Sequence, residues 1–137
     1  MLNLVAIDHV VLRTTRLDEM LHFYCEVLGA RLERTLPGAV GLVQLRAGSG
    51  LIDLVPVDSE LGRLGGKPPD KNAKNMDHFC MTIAPVDVSE LRSYLADKGV
   101  IVGETAVRYG AIGNTMSVYI QDPEANIVEL KLPAAAP

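Results

Sequence analysis

Apolar runs in this chain are broken by polar residues at matching places in two halves. Residues 4–12 form a nearly continuous apolar strand interrupted by Asp8 and His9, and 76–84 repeats the design with Asp77 and His78. Behind the first run, Leu17, Met20, Leu21, Tyr24 and Leu28 recur at helical spacing up to Gly29. Behind the second, Leu91, Tyr94 and Leu95 mark a helix over 87–98 that Gly99 closes. Strands are predicted near 30–36, 39–47 and 50–57 in the first half, separated by P-G and G-S-G turn signals, and near 100–103, 115–121 and 126–132 in the second. Each half therefore reads βαβββ, and the chain is an internal duplication of the α+β class, with modules at about 4–57 and 76–132.

Between the modules, 58–75 is rich in Gly, Pro, Lys and Asn and reads as a linker and mobile loop; the glycine-bearing polar stretch 104–115 reads similarly. The tail P-A-A-A-P at 133–137 is expected to fray. A chain of 137 residues fits one compact domain with a sizeable core and needs no disulfide staples. Cys25 and Cys80 lie in apolar segments and read as buried free thiols, in keeping with a reduced, cytoplasmic setting. A formal charge of −4 and the lack of a basic stripe argue against nucleic acid as a partner. The apolar start is too short for a signal peptide, and no apolar run is long enough for a membrane span.

Candidate chemistry lies in four residues that the duplication makes equivalent. Strands L-I-D-L-V at 51–55 and N-I-V-E-L at 126–130 place Asp53 and Glu129 at matching positions, as His9 matches His78. Alternation along a strand puts His9 on a face with Val11 and Arg13, Asp53 with Val55, His78 with Cys80 and Thr82, and Glu129 with Ile127 and Lys131. A carboxylate within an apolar strand needs a cation or donors nearby. Two imidazoles and two carboxylates suit a divalent first-row ion acting as a Lewis acid on a substrate oxygen. His22 has no counterpart in the second half and reads as a solvated or partly packed helix residue.

D-H-V-V-L-R-T, a helix with F-Y and L-G, and D-P-E-A-N-I-V-E-L near the end together resemble the vicinal oxygen chelate superfamily over nearly the whole chain. That group includes glyoxalase I, extradiol dioxygenases, fosfomycin-resistance thiol transferases and methylmalonyl-CoA epimerases. V-R-Y-G-A-I-G-N-T-M-S-V-Y-I-Q-D-P is most similar to small glyoxalase-domain proteins of unassigned activity. The resemblance implies a single domain whose two modules form a cup-shaped mixed sheet, a homodimer, and a divalent ion (nickel, zinc, manganese or iron). By the same resemblance His9, His78 and Glu129 are metal ligands, and Asp53 stands where glyoxalase I has a glutamate, one methylene longer. Glu129 and Asp53 are then the groups that would move a proton between adjacent carbons of an enediolate-forming substrate.

Arg13 matches an arginine that in glyoxalase I helps hold the glutathione carboxylate, and Lys74 stands where some members have a cationic contact. Arg108 adds a third cation, and together they favour a small anionic substrate. Val57 and Thr115 replace two glutathione-binding positions, so half of that site is missing. Tyr109 is a further candidate donor or acid. The resemblance implies a metal-dependent lyase or isomerase first, an extradiol-type dioxygenase with a two-histidine, one-carboxylate site second, and a non-catalytic binding protein of the bleomycin-resistance kind third. No potassium-binding loop of the fosfomycin type is evident.

Overall fold

The computed structural model describes residues 1–134, so the end of the expected frayed tail, 135–137, lies outside the described residues. The chain divides into two compact units, the first ending at Asn75 and the second beginning at Met76. Each unit carries its own four-stranded mixed sheet, as expected of an α+β fold built from two βαβββ modules.

In the first unit the strands are β1 (His9–Thr14), β2 (Arg31–Thr35), β3 (Val43–Ala47) and β4 (Gly50–Pro56), in the order β1-β4-β3-β2. β1 lies parallel to β4, with His9 opposite Leu51 and Val11 opposite Asp53, and the other pairings are antiparallel. The expected strand start near residue 4 moves to His9, because the β4 ladder supplies no partner before Leu51, whose amide bonds the Asp8 carbonyl. Leu2, Leu4, Val5 and Ile7 are exposed as a result. The predicted helix is present as α1 (Leu17–Leu21), then widens into a π-helical stretch, His22–Val27, where the Leu28 amide reaches back five residues to Phe23. Met20, Phe23, Tyr24 and Val27 from it pack with Leu12, Val43, Leu45, Ile52 and Leu54 as the core of this unit.

Residues 58–75 are not a loose linker. They contain α2 (Glu60–Arg63), capped by the Ser59 hydroxyl, which accepts from the Gly62 amide. The Glu60 and Leu61 amides bond the Ala39 and Val40 carbonyls, and a side chain at Gly41 would collide with Ser59. The first unit thus extends to Asn75, whose side chain bonds both backbone groups of Arg13.

The second unit repeats the plan with β5 (His78–Thr82), α3 (Val88–Asp97), β6 (Ile101–Gly110), β7 (Gly113–Gln121) and β8 (Ile127–Lys131), in the strand order β5-β8-β7-β6. α3 is capped by Asp87, which accepts from the Ser89 and Glu90 amides, and ends before Gly99 at φ +73°. Leu91 and Leu95 of α3 join Val118, Ile120, Val128 and Leu130 in the core. Leu95 is fully buried, a position where truncation to alanine costs about 2–5 kcal/mol. The polar stretch 104–115, expected as a loop, is instead the long β6–β7 hairpin. Its residues pair from Thr105–Val118 to Gly110–Gly113 across a two-residue turn.

Candidate functional site

Both units put an imidazole and a carboxylate on adjacent parallel strands in the same register. His9 begins β1 and Asp53 pairs with the residue two further on, Val11; His78 begins β5 and Glu129 pairs with Cys80. The period of two then brings each histidine and its acid to one face of the sheet, the face opposite the helix.

In the first unit, Asp53 is 3 % exposed, and its Oδ2 accepts a hydrogen bond from Gln44 Nε2 at 3.0 Å. Its Oδ1 is buried with no hydrogen-bond partner. His9 Nδ1 lies 2.7 Å from Asp8 Oδ1, and that hydrogen bond, with a smaller contribution from the charge of Asp53, raises the His9 pKa above 6.5 against opposing desolvation.

In the second unit, His78 Nδ1 lies 2.5 Å from Asp77 Oδ2, and its Nε2 lies 3.4 Å from Glu129 Oε2. An ionised carboxylate can only accept, so the nitrogens facing Asp8 and Asp77 carry the protons. Neutral imidazoles would therefore present bare Nε2 atoms, as metal-ligating histidines with a carboxylate behind them do. At His78 that leaves two acceptors face to face, which a proton or a cation between them would reconcile. The 3.4 Å separation matches two ligand atoms on one tetrahedral ion with bonds of about 2.0–2.1 Å. The orphaned Asp53 oxygen and this facing pair both fit a divalent cation. Among the described residues no group of three or more His, Cys, Asp and Glu gathers as a complete metal-binding set.

Glu129 has further neighbours. Its Oε1 accepts from the buried Ser117 hydroxyl at 2.5 Å and lies 3.9 Å from Lys131 Nζ. Tyr119 pairs with Glu129 across β7–β8, packs edge-on against His78 at 5.9 Å between ring centroids, and lies under the Arg108 guanidinium. Cys80, exposed rather than buried as expected, has its thiol pushed up to about 11, first by desolvation and then by the charge of Glu129. Cys25 is half-buried, and both thiols are free.

The other four candidates differ in their surroundings. Arg13 is not open to a substrate: Nη1 donates to the Gly65 and Lys67 carbonyls at 3.0 and 2.9 Å, and Nη2 to those of Gly62 and Gly66 at 3.0 and 2.7 Å. Its Nε is buried without a partner, and a side chain at Gly65 would strike the guanidinium. Arg13 therefore pins the segment after β4. Lys74 is exposed, and Arg108 pairs with Glu104 at 2.9 Å beside Tyr119. Tyr109 is 83 % exposed and pairs with Asn114, so alternation sets it on the face opposite Arg108. Ser117 and Tyr119 were the signals missed: a β7–β8 hairpin centred on residue 124 pairs Tyr119 with Glu129 and Ser117 with Lys131.

The fold and the matching histidine–carboxylate registers define a duplicated βαβββ protein, and the family model for the Glyoxalase/Bleomycin resistance protein/Dioxygenase superfamily matches residues 6–130. The chain belongs to that superfamily. It is 30 % identical over 125 residues to virulence protein STM3117 of Salmonella typhimurium, covering 90 % of this chain and 81 % of that protein. It is 31 % identical over 132 residues to biphenyl-2,3-diol 1,2-dioxygenase 2 of Rhodococcus globerulus, covering 90 % of this chain but 60 % of that enzyme. Among solved structures, lactoylglutathione lyase from Agrobacterium tumefaciens shares the fold with a TM-score of 0.62 at 23 % identity, covering 93 % of this chain and 92 % of that one.

The superfamily contains both lyases and dioxygenases. No helix among the described residues is long and apolar enough to cross a membrane.

Proposed function

We propose that the chain is a metal-dependent lyase or isomerase of glyoxalase type, acting on a small anionic oxygenated substrate, with His9, Asp53, His78 and Glu129 as the ligand set. The observation that carries this reading is the repeated register of imidazole and carboxylate on adjacent parallel strands, with an orphaned Asp53 oxygen in one unit and facing acceptors in the other. A bound divalent ion would supply Lewis acidity toward a substrate oxygen. The residues supply the rest. Glu129 Oε2 is open toward His78 and takes a proton from the carbon beside the substrate carbonyl, and returns it to the neighbouring carbon. Asp53, shorter and held by Gln44, serves as the second carboxylate. Arg108, beside Tyr119, and the exposed Lys74 attract the substrate's negative charge. A cytoplasmic homodimer, with the two units as modules of one vicinal oxygen chelate domain, completes the proposal; the two free thiols agree with a reducing setting.

A second reading, an extradiol-type dioxygenase using His9, His78 and Glu129, is favoured by the identity to the Rhodococcus enzyme. One experiment separates the two: plasma mass spectrometry of the tag-free protein after chelation and refilling with nickel, zinc, manganese or iron. It is followed by carbon-bound proton exchange of a 2-oxoaldehyde–thiol adduct in D2O and by oxygen uptake with a catechol. About one ion per chain with proton exchange supports the lyase or isomerase; iron with oxygen uptake supports the dioxygenase. No ion retained from any refill refutes both and moves the binding-protein reading forward.

A further inference from the structure

Beside Glu129 lies a buried charge for which the proposed reaction has no use. Lys131, two residues along β8, is 3 % exposed, and its Nζ donates to the Arg108 carbonyl at 2.5 Å. A second donor from Nζ reaches Ser117 Oγ at 3.4 Å, and Ser117 Oγ lies 2.5 Å from Glu129 Oε1. An ammonium only donates and a carboxylate only accepts, so the direction of the chain is fixed: Lys131 donates to Ser117, and Ser117 donates to Glu129. A hydroxyl is needed at the middle position because it can do both at once. Oε1 is thereby committed, and Oε2 is the oxygen left facing His78 Nε2.

The first unit has no such brace. The position two residues after Asp53 is Val55, and the Asp53 carboxylate takes its hydrogen bond from Gln44. Repetition of the fold therefore does not account for Lys131 and Ser117, which build a charge-backed support for one of the two acids.

We propose that Ser117 and Lys131 are positioning residues that hold Glu129 by Oε1, so that it meets an ion or a substrate proton through Oε2 alone. This rests on the reading of Glu129 as ligand and base. Removing the hydroxyl breaks the chain at its centre while leaving the sheet's backbone pairing intact, and threonine restores the hydroxyl.

The test uses the full chain as wild type, Ser117→Ala, Ser117→Thr and Lys131→Met, with Co²⁺ as the probe. Dissociation constants come from calorimetry, ligand geometry from the visible spectrum of the cobalt-loaded protein, and the Glu129 conformation from metal-free crystal structures of the wild type and both Ser117 variants. Ser117→Ala is expected to weaken Co²⁺ binding about 10- to 100-fold and to shift the visible bands, as loss of an outer hydrogen-bond partner does. Ser117→Thr should return both to near wild type, and Lys131→Met should weaken binding in the same direction. Wild-type affinity and spectrum in Ser117→Ala overturn the proposal, and wild-type behaviour in Lys131→Met removes the lysine from it. If the wild-type protein binds no cobalt, the metal reading fails by itself. The metal-free structures then decide the positioning: Glu129 displaced from His78 in Ser117→Ala and restored in Ser117→Thr upholds it, and Glu129 unmoved in both overturns it.

Discussion

Replacing Arg13 by alanine tests whether this side chain pins the protein's own loop or serves a ligand. Its guanidinium makes four hydrogen bonds to the carbonyls of Gly62, Gly65, Gly66 and Lys67, and three of these four contacts are exposed. Hydrogen bonds to charged groups are worth about 1.5–3 kcal/mol when shielded, and water compensates much of the loss when they are not. Taking about 0.5 kcal/mol for each exposed contact and about 1.5 for the part-buried bond to Gly62 gives a gross loss of roughly 3 kcal/mol. Freed side-chain entropy returns about 1–1.5 kcal/mol, leaving a net cost of roughly 1.5–2. Because the affected carbonyls lie within one short segment, the loss is expected as local opening rather than global unfolding. Hydrogen exchange at the Arg63, Leu64 and Gly65 amides, all bonded within this segment, should quicken about 10- to 30-fold. Tryptic cleavage at Arg63 and Lys67 should rise in step. Arg13→Lys keeps the charge but not the planar fork, and should fall between the two. Unchanged exchange in Arg13→Ala, with only a raised KM for an anionic substrate, would refute the anchoring argument and restore the ligand role that the family resemblance implies.

Two further predictions follow from the site's electrostatics. With its pKa at about 11, the Cys80 thiol holds on the order of 100-fold less thiolate at pH 8 than an ordinary cysteine and should alkylate correspondingly slowly. Glu129→Gln removes part of the cause and should speed that reaction, so an equal rate in the variant would show that the Glu129 charge does not reach the thiol. His9 has its pKa raised chiefly by Asp8, so its protonation stabilises the fold fully below 6.5, and the effect fades as pH rises through the elevated value. Asp8→Asn should move the His9 proton NMR titration midpoint down toward 6.5 and lower stability near pH 6 while sparing it above pH 8. A midpoint that stays put would count against the hydrogen bond.

The sequence by itself determined the duplicated βαβββ order, the approximate strand and helix positions, and the equivalence of His9 with His78 and of Asp53 with Glu129. It could do so because these rest on local signals: helical spacing, strand alternation, and glycines after helices. Tertiary structure decided what those residues touch. Arg13 looked like an outward cation, but α2 and the turn after it bring four carbonyls around it. The stretch 104–115 was polar enough to pass for a loop, yet cross-strand pairing with β7 makes it a hairpin. Tyr119 joins the site and Tyr109 does not, because the strand register sets Tyr119 beside Glu129 and the alternation along β6 turns Tyr109 to the other face. Register links residues distant in sequence through backbone hydrogen bonds, and no window of neighbouring side chains contains that information.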